Sequence, residues 1–235
     1  MSLPDVVSRE EWLAARVKLL AQEKALTRQL DQLNAGRRRL PMVAVDKEYV
    51  FEGPQGKVTL AALFNGKRQL MVQHVMYGPD WAAPCPSCST AISEMTPALF
   101  EGLRNRDTTL VLASRAPYEK IAAAQAERGW DIPWHSSYGS EFNYDYNVSF
   151  DSSRGASSYN YGTIADAEDE LPGMSCFLRE GDDIYHTFST YARGMEYLGS
   201  GYTYLDLTAL GRQESWEEPK GRSGVDREAD PSLSS

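Results

Sequence analysis

The chain has 235 residues, 42% of them hydrophobic, and a formal net charge of −9. That length buries one sizeable core with appendages, and the acidic balance argues against nucleic acid or an anionic membrane as a main partner. No apolar run approaches the ~18 residues of a membrane span, the start lacks the basic and apolar regions of a secretory signal, and three cysteines are too few for a disulfide-stapled domain.

A reducing, cytoplasmic setting is therefore the expectation, in which a Cys-x-x-Cys pair is more often catalytic or metal-binding than structural. In chain order, Ser8-Arg-Glu-Glu11 is a capping-box pattern that predicts a helix to about Asn34, stopped by Gly36. Trp12, Leu19, Leu20, Leu26, Leu30 and Leu33 make a broken apolar stripe on it. The stripe suits a helix packed on the domain edge or on another subunit better than a coiled-coil arm, because the heptad is not held for long. Arg37, Arg38 and Arg39 read as a solvated turn before a targeting or phosphate patch. Met42 to Phe51 and Lys57 to Leu60, across Gly53-Pro-Gln-Gly56, predict a hairpin. Thr59 to Phe64 predicts a short helix ended by Asn65-Gly66.

A buried strand, Gln69 to Met76, then feeds a loop broken by Gly78-Pro79 and Pro84, which ends in Cys85-Pro86-Ser87-Cys88. Ala91, Ile92, Met95, Leu99 and Leu103 follow at the spacing of one helix face, with Pro86 suited to the first helical position. Unpaired backbone N–H groups and the helix dipole stabilise a thiolate at such a place, and Cys-x-x-Cys pairs there commonly carry a lowered first pKa. Cys85, nearer the loop, is the expected attacking thiol and Cys88 the resolving one. A metal site on the same pair is the competing reading.

Thr108 to Ala113 predicts an apolar strand, and Pro117 to Arg128, stopped by Gly129, a helix; strand–helix–strand–helix is the alternation of a parallel α/β sheet. Between Trp130 and Tyr161 the chain turns aromatic, with Ser, Gly and Asn interleaved. This predicts a long ordered loop with short strands, its aromatics either capping the core or walling the thiol site. Met174 to Leu178 and Asp183 to Phe188 predict a hairpin about Glu180-Gly-Asp182, and Tyr191 to Leu198 and Leu205 to Leu210 one or two last helices. Past Gly211 the composition predicts a disordered tail. The expected organisation is an N-terminal helical extension at 1–40, one domain at 41–211 and a tail at 212–235.

The order of elements from the first hairpin onward is similar to the thioredoxin fold with N-terminal additions, and the opening around Thr59 to Cys85 also looks like peroxiredoxins. At closer range the chain resembles a bacterial family of thioredoxin-like predicted dithiol–disulfide oxidoreductases. The match is carried by His74-Val-Met-Tyr77, Cys85-Pro-Ser-Cys88, Ser137-Tyr-Gly-Ser-Glu-Phe-Asn-Tyr-Asp-Tyr146, Leu171-Pro-Gly-Met-Ser175 and His186-Thr-Phe-Ser-Thr-Tyr-Ala-Arg-Gly194. The resemblance implies an α/β thioredoxin-like fold, a central mixed sheet flanked by helices, extended by the N-terminal helix and hairpin and by the long aromatic insertion. It also implies Cys85 and Cys88 as the redox pair, with no organic cofactor.

One departure stands out. Thioredoxins carry a cis-proline just before the strand facing the Cys-x-x-Cys. Here that strand is expected at Cys176 to Leu178, which puts Ser175 in the facing position and Pro172 three residues too early. Ser175 or Cys176 would then lie near Cys85. Cys176 alone reads as a small buried strand residue, or more sharply as a third redox thiol. His74, His135 and His186 each read first as structural histidines. With the two cysteines, His74 or His186 would instead suggest a copper or zinc carrier. Trp81 resembles the tryptophan that precedes thioredoxin-type motifs, and Asp80, Glu94 and Glu141 are candidate proton acceptors for Cys88. A peroxidase is the nearest rival function, although the peroxiredoxin Pro-x-x-x-Thr/Ser-x-x-Cys context is not met; Arg193 is its one candidate arginine. The expected partners are a thiol or disulfide substrate and a recycling reductant, with room for a homo-oligomer.

Overall fold

A computed structural model describes residues 4–164, 169–199 and 201–210. The expected tail at 212–235 lies outside them. The first element, α1 (Arg9–Arg37), starts on the expected capping box: the Ser8 hydroxyl accepts from the Glu11 N–H, and the Glu11 carboxylate accepts from the Ser8 N–H at 2.9 Å. No residue of α1 is buried, so the expectation that it packs on the domain edge is not met.

Next come β1 (Val43–Ala44), β2 (Val50–Gly53), β3 (Gly56–Thr59), α2 (Leu60–Leu63) and β4 (Gln69–His74). β2 and β3 form the predicted hairpin. Val43 and Ala44, expected in the same arm, instead pair with β10 (Asp183–Tyr191), at the opposite edge of the sheet. The polar run Asp46-Lys-Glu48 separates the two pieces, and Lys47 is held by Asp145. Thr59 caps α2 through its hydroxyl, and Asn65 and Gly66 end it with φ of 48° and 75°.

The single helix expected after the cysteines is two: α3 (Pro86–Ser93) and α4 (Pro97–Arg104). Pro97 cannot continue an i→i−4 ladder, and Thr96 caps the new start by accepting from the Leu99 N–H. Then follow β5 (Thr108–Ser114), buried along its whole length, α5 (Tyr118–Arg128), closed by Gly129 at φ 68°, and β6 (Trp134–Ser136). The aromatic stretch holds α6 (Phe142–Asp145), a short 3-10 turn at Ser152–Arg154, and the small hairpin β7 (Ser157–Tyr159) and β8 (Gly162–Ile164). β9 (Gly173–Glu180) and β10 form the predicted late hairpin, turning at Gly181 with φ 61°. A 3-10 segment Ala192–Leu198 and α7 (Gly201–Leu205) follow; the helix expected over Leu205 to Leu210 is not formed, and residues 206–210 are turn and bend.

The main sheet runs β1-β10-β9-β4-β5-β6-β2-β3. Within it β5 and β4 are parallel, β9 is antiparallel to β4, and β10 is antiparallel to β9. Strand–helix–strand–helix followed by a returning hairpin, in the spatial order β5-β4-β9-β10, is the thioredoxin-like topology. Side chains alternate across these strands, so each face has its own core. On one face Leu110, Leu112 and Met174 pack with Ile92 of α3, Phe100 of α4 and Ile121 of α5. On the other, Leu70, Val72, Val111 and Phe177 pack with α2 and α6. Among the described residues no helix is long and apolar enough to cross a membrane.

Candidate active site

β4 ends at His74, and the chain runs on through buried Val75, Met76 and Tyr77 into the loop that delivers the cysteines. That loop is braced. The Cys85 N–H donates to the Met76 carbonyl at 2.9 Å, and the Lys120 ammonium on α5 donates to the carbonyls of Pro79 (2.6 Å) and Trp81 (3.1 Å). The Trp81 ring lies so close over Gly78 that an added Cβ there would meet it at 2.9 Å. Glycine is therefore required by close approach.

Cys85 is the N-cap of α3 and Pro86 takes its first position, as expected. The Cys85 carbonyl accepts from both the N–H and the hydroxyl of Ser89, each at 2.9 Å. Its sulfur meets the donors that helix geometry leaves unpaired. The Cys88 thiol hydrogen bond is the strongest influence, followed by the backbone N–H of Cys88 and the N–H and hydroxyl of Ser87. Together they outweigh partial burial and bring the Cys85 pKa down to about 6. The thiolate is then the favoured form at pH 7. Cys85 is half-buried and Cys88 buried, the arrangement of an accessible attacking sulfur over a sheltered resolving one.

Cys176 lies on the same face. It pairs across the sheet with Met71, and both pack against the cluster that holds Cys88. Burial pushes its thiol up to about 11, so near neutral pH it is protonated and a poor nucleophile.

His74, Ser175 and His186 are not at the sulfurs. Ser175 pairs with Val72, and Val72, His74 and Phe177 face the opposite core. There the His74 Nε2 meets the Ser175 hydroxyl at 2.9 Å, Ser175 meets Ser189 at 3.0 Å, and Ser189 meets the His186 Nε2 at 2.8 Å. Residues 186 and 189 would point to opposite faces of a regular strand. A bulge between His186 and Phe188 reverses the alternation and brings both to one side. His74 also stacks on Phe142 and Tyr146, and burial holds its pKa down to about 3. Burial lowers His186 and His135 as well. His74 and His186 brace the strand from behind, the structural role read first for them, and the alternative that places His74, His186 and Ser175 beside Cys85 is corrected. Among the described residues no three His, Cys, Asp or Glu side chains converge on a metal position.

The proline expectation is corrected too. β9 begins at Gly173, opposite His74, three residues earlier than the sequence suggests. Pro172 therefore immediately precedes the strand that faces the cysteine loop. Its carbonyl accepts from the Tyr159 hydroxyl at 2.7 Å, and the neighbouring Leu171 N–H donates to Val148. Of the proposed proton acceptors, Glu94 accepts from the Gly201 N–H and Glu141 is paired with Arg154, while Asp80 lines a cavity. Arg193 is paired with Glu196.

Much of the aromatic stretch caps the cores, and part of it lines a cavity beside the cysteine loop. Trp134, Phe142, Tyr146 and Tyr159 are buried in cores, yet Tyr159 also lies within electrostatic range of Cys88. Tyr144 and Phe150 line a cavity of about 860 Å³, which they share with Gly78 and Trp81 of the cysteine loop and with Arg115. Arg115 lies over the Tyr144 ring and pairs with the buried Glu170 at 3.1 Å, whose carboxyl burial raises to about 7. Sequence reading missed Ser87, Lys120 and the Arg115–Glu170 pair. Only Ser87, inside the motif, carried a local signal.

No curated protein matches the chain. Among solved structures, peroxiredoxin Q from Xanthomonas campestris is similar at 15% identity and TM-score 0.45, over 73% of this chain and 98% of that one. A cysteine mutant of PrxQ from Xylella fastidiosa is 12% identical with TM-score 0.40, over 64% and 85%. A candidate protein disulfide isomerase from Bacteroides thetaiotaomicron is 19% identical with TM-score 0.38, over 65% and 82%. The family described as "Bacterial protein of unknown function (DUF899)" matches residues 1–228, and the chain belongs to it.

Proposed function

We propose that the protein is a thiol–disulfide oxidoreductase that uses Cys85 as the attacking thiol and Cys88 as the resolving one. The observation that carries this reading is the Cys85 sulfur at the N-cap of α3, held near pKa 6 by the Cys88 and Ser87 donors. The Cys85 thiolate attacks one sulfur of a disulfide R–S–S–R′, forming Cys85–S–S–R and expelling R′–S⁻, which takes a proton from solvent. The Cys88 thiol loses its proton and attacks the Cys85 sulfur. The Cys85–Cys88 disulfide forms and R–S⁻ leaves. The substrate gains two electrons and the pair loses two, which a dithiol reductant returns; the reverse sequence oxidises a dithiol substrate.

Two features favour a small or specialised thiol substrate over a peptide laid along the corner before β9. The Leu171 N–H and Pro172 carbonyl are already engaged internally, and a docked strand needs such groups open. The cavity beside Trp81 offers Tyr144 and Phe150 as apolar walls for the non-reacting part of a substrate.

Incubating Cys88→Ser protein with an aromatic disulfide reagent tests this reading. One reagent moiety per chain should accumulate on Cys85, while the unsubstituted protein ends as the Cys85–Cys88 disulfide and releases two thiols. An adduct on Cys176, or none, defeats the proposal. A peroxide substrate would instead leave Cys85 of Cys88→Ser carrying one extra oxygen as a sulfenic acid.

A further inference from the structure

α1 is 29 residues long, about 43 Å at 1.5 Å per residue, and buries none of them. Trp12, Leu19, Leu26 and Leu33 recur at every seventh position, with Leu30 beside them; Leu13, Val17 and Leu20 widen the apolar surface in the first half. The least exposed of the eight is Leu20, at 37%. A lone helix in water is held by local terms only and is marginal, and this one carries its largest apolar side chains where none of the described residues buries them.

We propose that α1 pairs with the α1 of a second copy, in antiparallel orientation. Its charges favour that occupant and that direction. The first turn carries Glu10 and Glu11 beside Arg9, which lies over the Trp12 ring, and is net acidic; the last carries Arg37, followed by Arg38 and Arg39. Antiparallel pairing sets each acidic end against a basic one and lets the two helix dipoles oppose each other. Parallel pairing would stack three arginines on three arginines. The opposed halves match in shape as well, the broad apolar surface from Trp12 to Leu20 meeting the narrower one from Leu26 to Leu33.

The test is sedimentation of the whole protein together with directed cross-linking. The protein should sediment as a dimer at micromolar concentration, and Leu19→Asp/Leu26→Asp/Leu33→Asp should sediment as a monomer with near-UV circular dichroism and Cys85 alkylation rate unchanged. In a background with Cys85→Ser, Cys88→Ser and Cys176→Ser, mixing Glu10→Cys protein with Arg38→Cys protein should give the mixed cross-linked dimer on oxidation. Arg38→Cys alone should give almost none. A monomeric wild-type protein, a triple variant that stays dimeric, a monomer that uses α1 to bind anionic vesicles, or efficient cross-linking of Arg38→Cys to itself would each overturn the proposal.

Discussion

The two faces of β4 and β9 are built from adjacent residues and do opposite things. On one face Met71, Met174 and Cys176 pack toward α3 and the cysteine pair. On the other, His74 and Ser175 lock into a buried chain with Ser189 and His186. The first face surrounds a sulfur whose charged form is favoured by helix-end donors. The second holds imidazoles whose charged form is suppressed by burial. Titratable residues alone do not mark a reactive site; what matters is whether the surroundings stabilise the charged form, with donors for a thiolate and acceptors for an imidazolium. The Cys85 thiolate has hydrogen-bond donors, whereas the His74 ring is packed against the neighbouring Phe142 and Tyr146 rings.

The comparison breaks most sharply at Cys85. Cys85→Ser should lower disulfide-exchange rates by at least about a thousandfold, since an alcohol cannot replace a thiolate near neutral pH; stopped-flow assay with an aromatic disulfide checks this. Phe142→Ala on the opposite face should cost about 3–5 kcal/mol of stability, seen as an earlier urea midpoint. The Cys85 alkylation profile of the folded variant should still turn over near pH 6. His74→Ala should cost about 1–3 kcal/mol by leaving buried Ser175 short of a partner. A tenfold change in Cys85 alkylation rate in this variant would mean the faces are coupled. Ser87→Ala should make the smallest change, a modest rise of the Cys85 pKa, because the Cys88 thiol and two backbone N–H donors remain.

A stability profile sharpens the same point. The folded state depresses the Cys85 pKa from about 9 to about 6. Its contribution in the reduced protein is therefore fully present above about pH 9 and is lost as pH falls through about 6. Reduced Cys85→Ser protein should lack this slope, read by denaturant titrations across that range.

Local patterns made much of this legible in the sequence. The Ser8 capping box, the Asn65-Gly66 stop, the Pro86 helix start, Gly129 and the turn at Gly181 depend on neighbours a few residues away, and each forms as its residues imply. Thr96-Pro97 was an equally local signal, and it outweighs the apolar spacing that suggested one helix. What stayed hidden depends on distant partners. Val43 and Ala44 cross to the far edge of the sheet because β10 offers them hydrogen bonds. Ser175 faces away from the sulfurs because β9 begins at Gly173, and His186 joins Ser189 only through a bulge. A shift of one residue exchanges the faces of a strand, so motif membership could gather these residues but not say which side they serve.

The most direct test is to equilibrate the whole protein in graded dithiol/disulfide buffers and map the alkylated cysteines by mass spectrometry. The account predicts one reversible two-electron transition shared by Cys85 and Cys88, with Cys176 alkylated only after unfolding. A transition that pairs Cys176 with either, or no reversible transition at all, would contradict it.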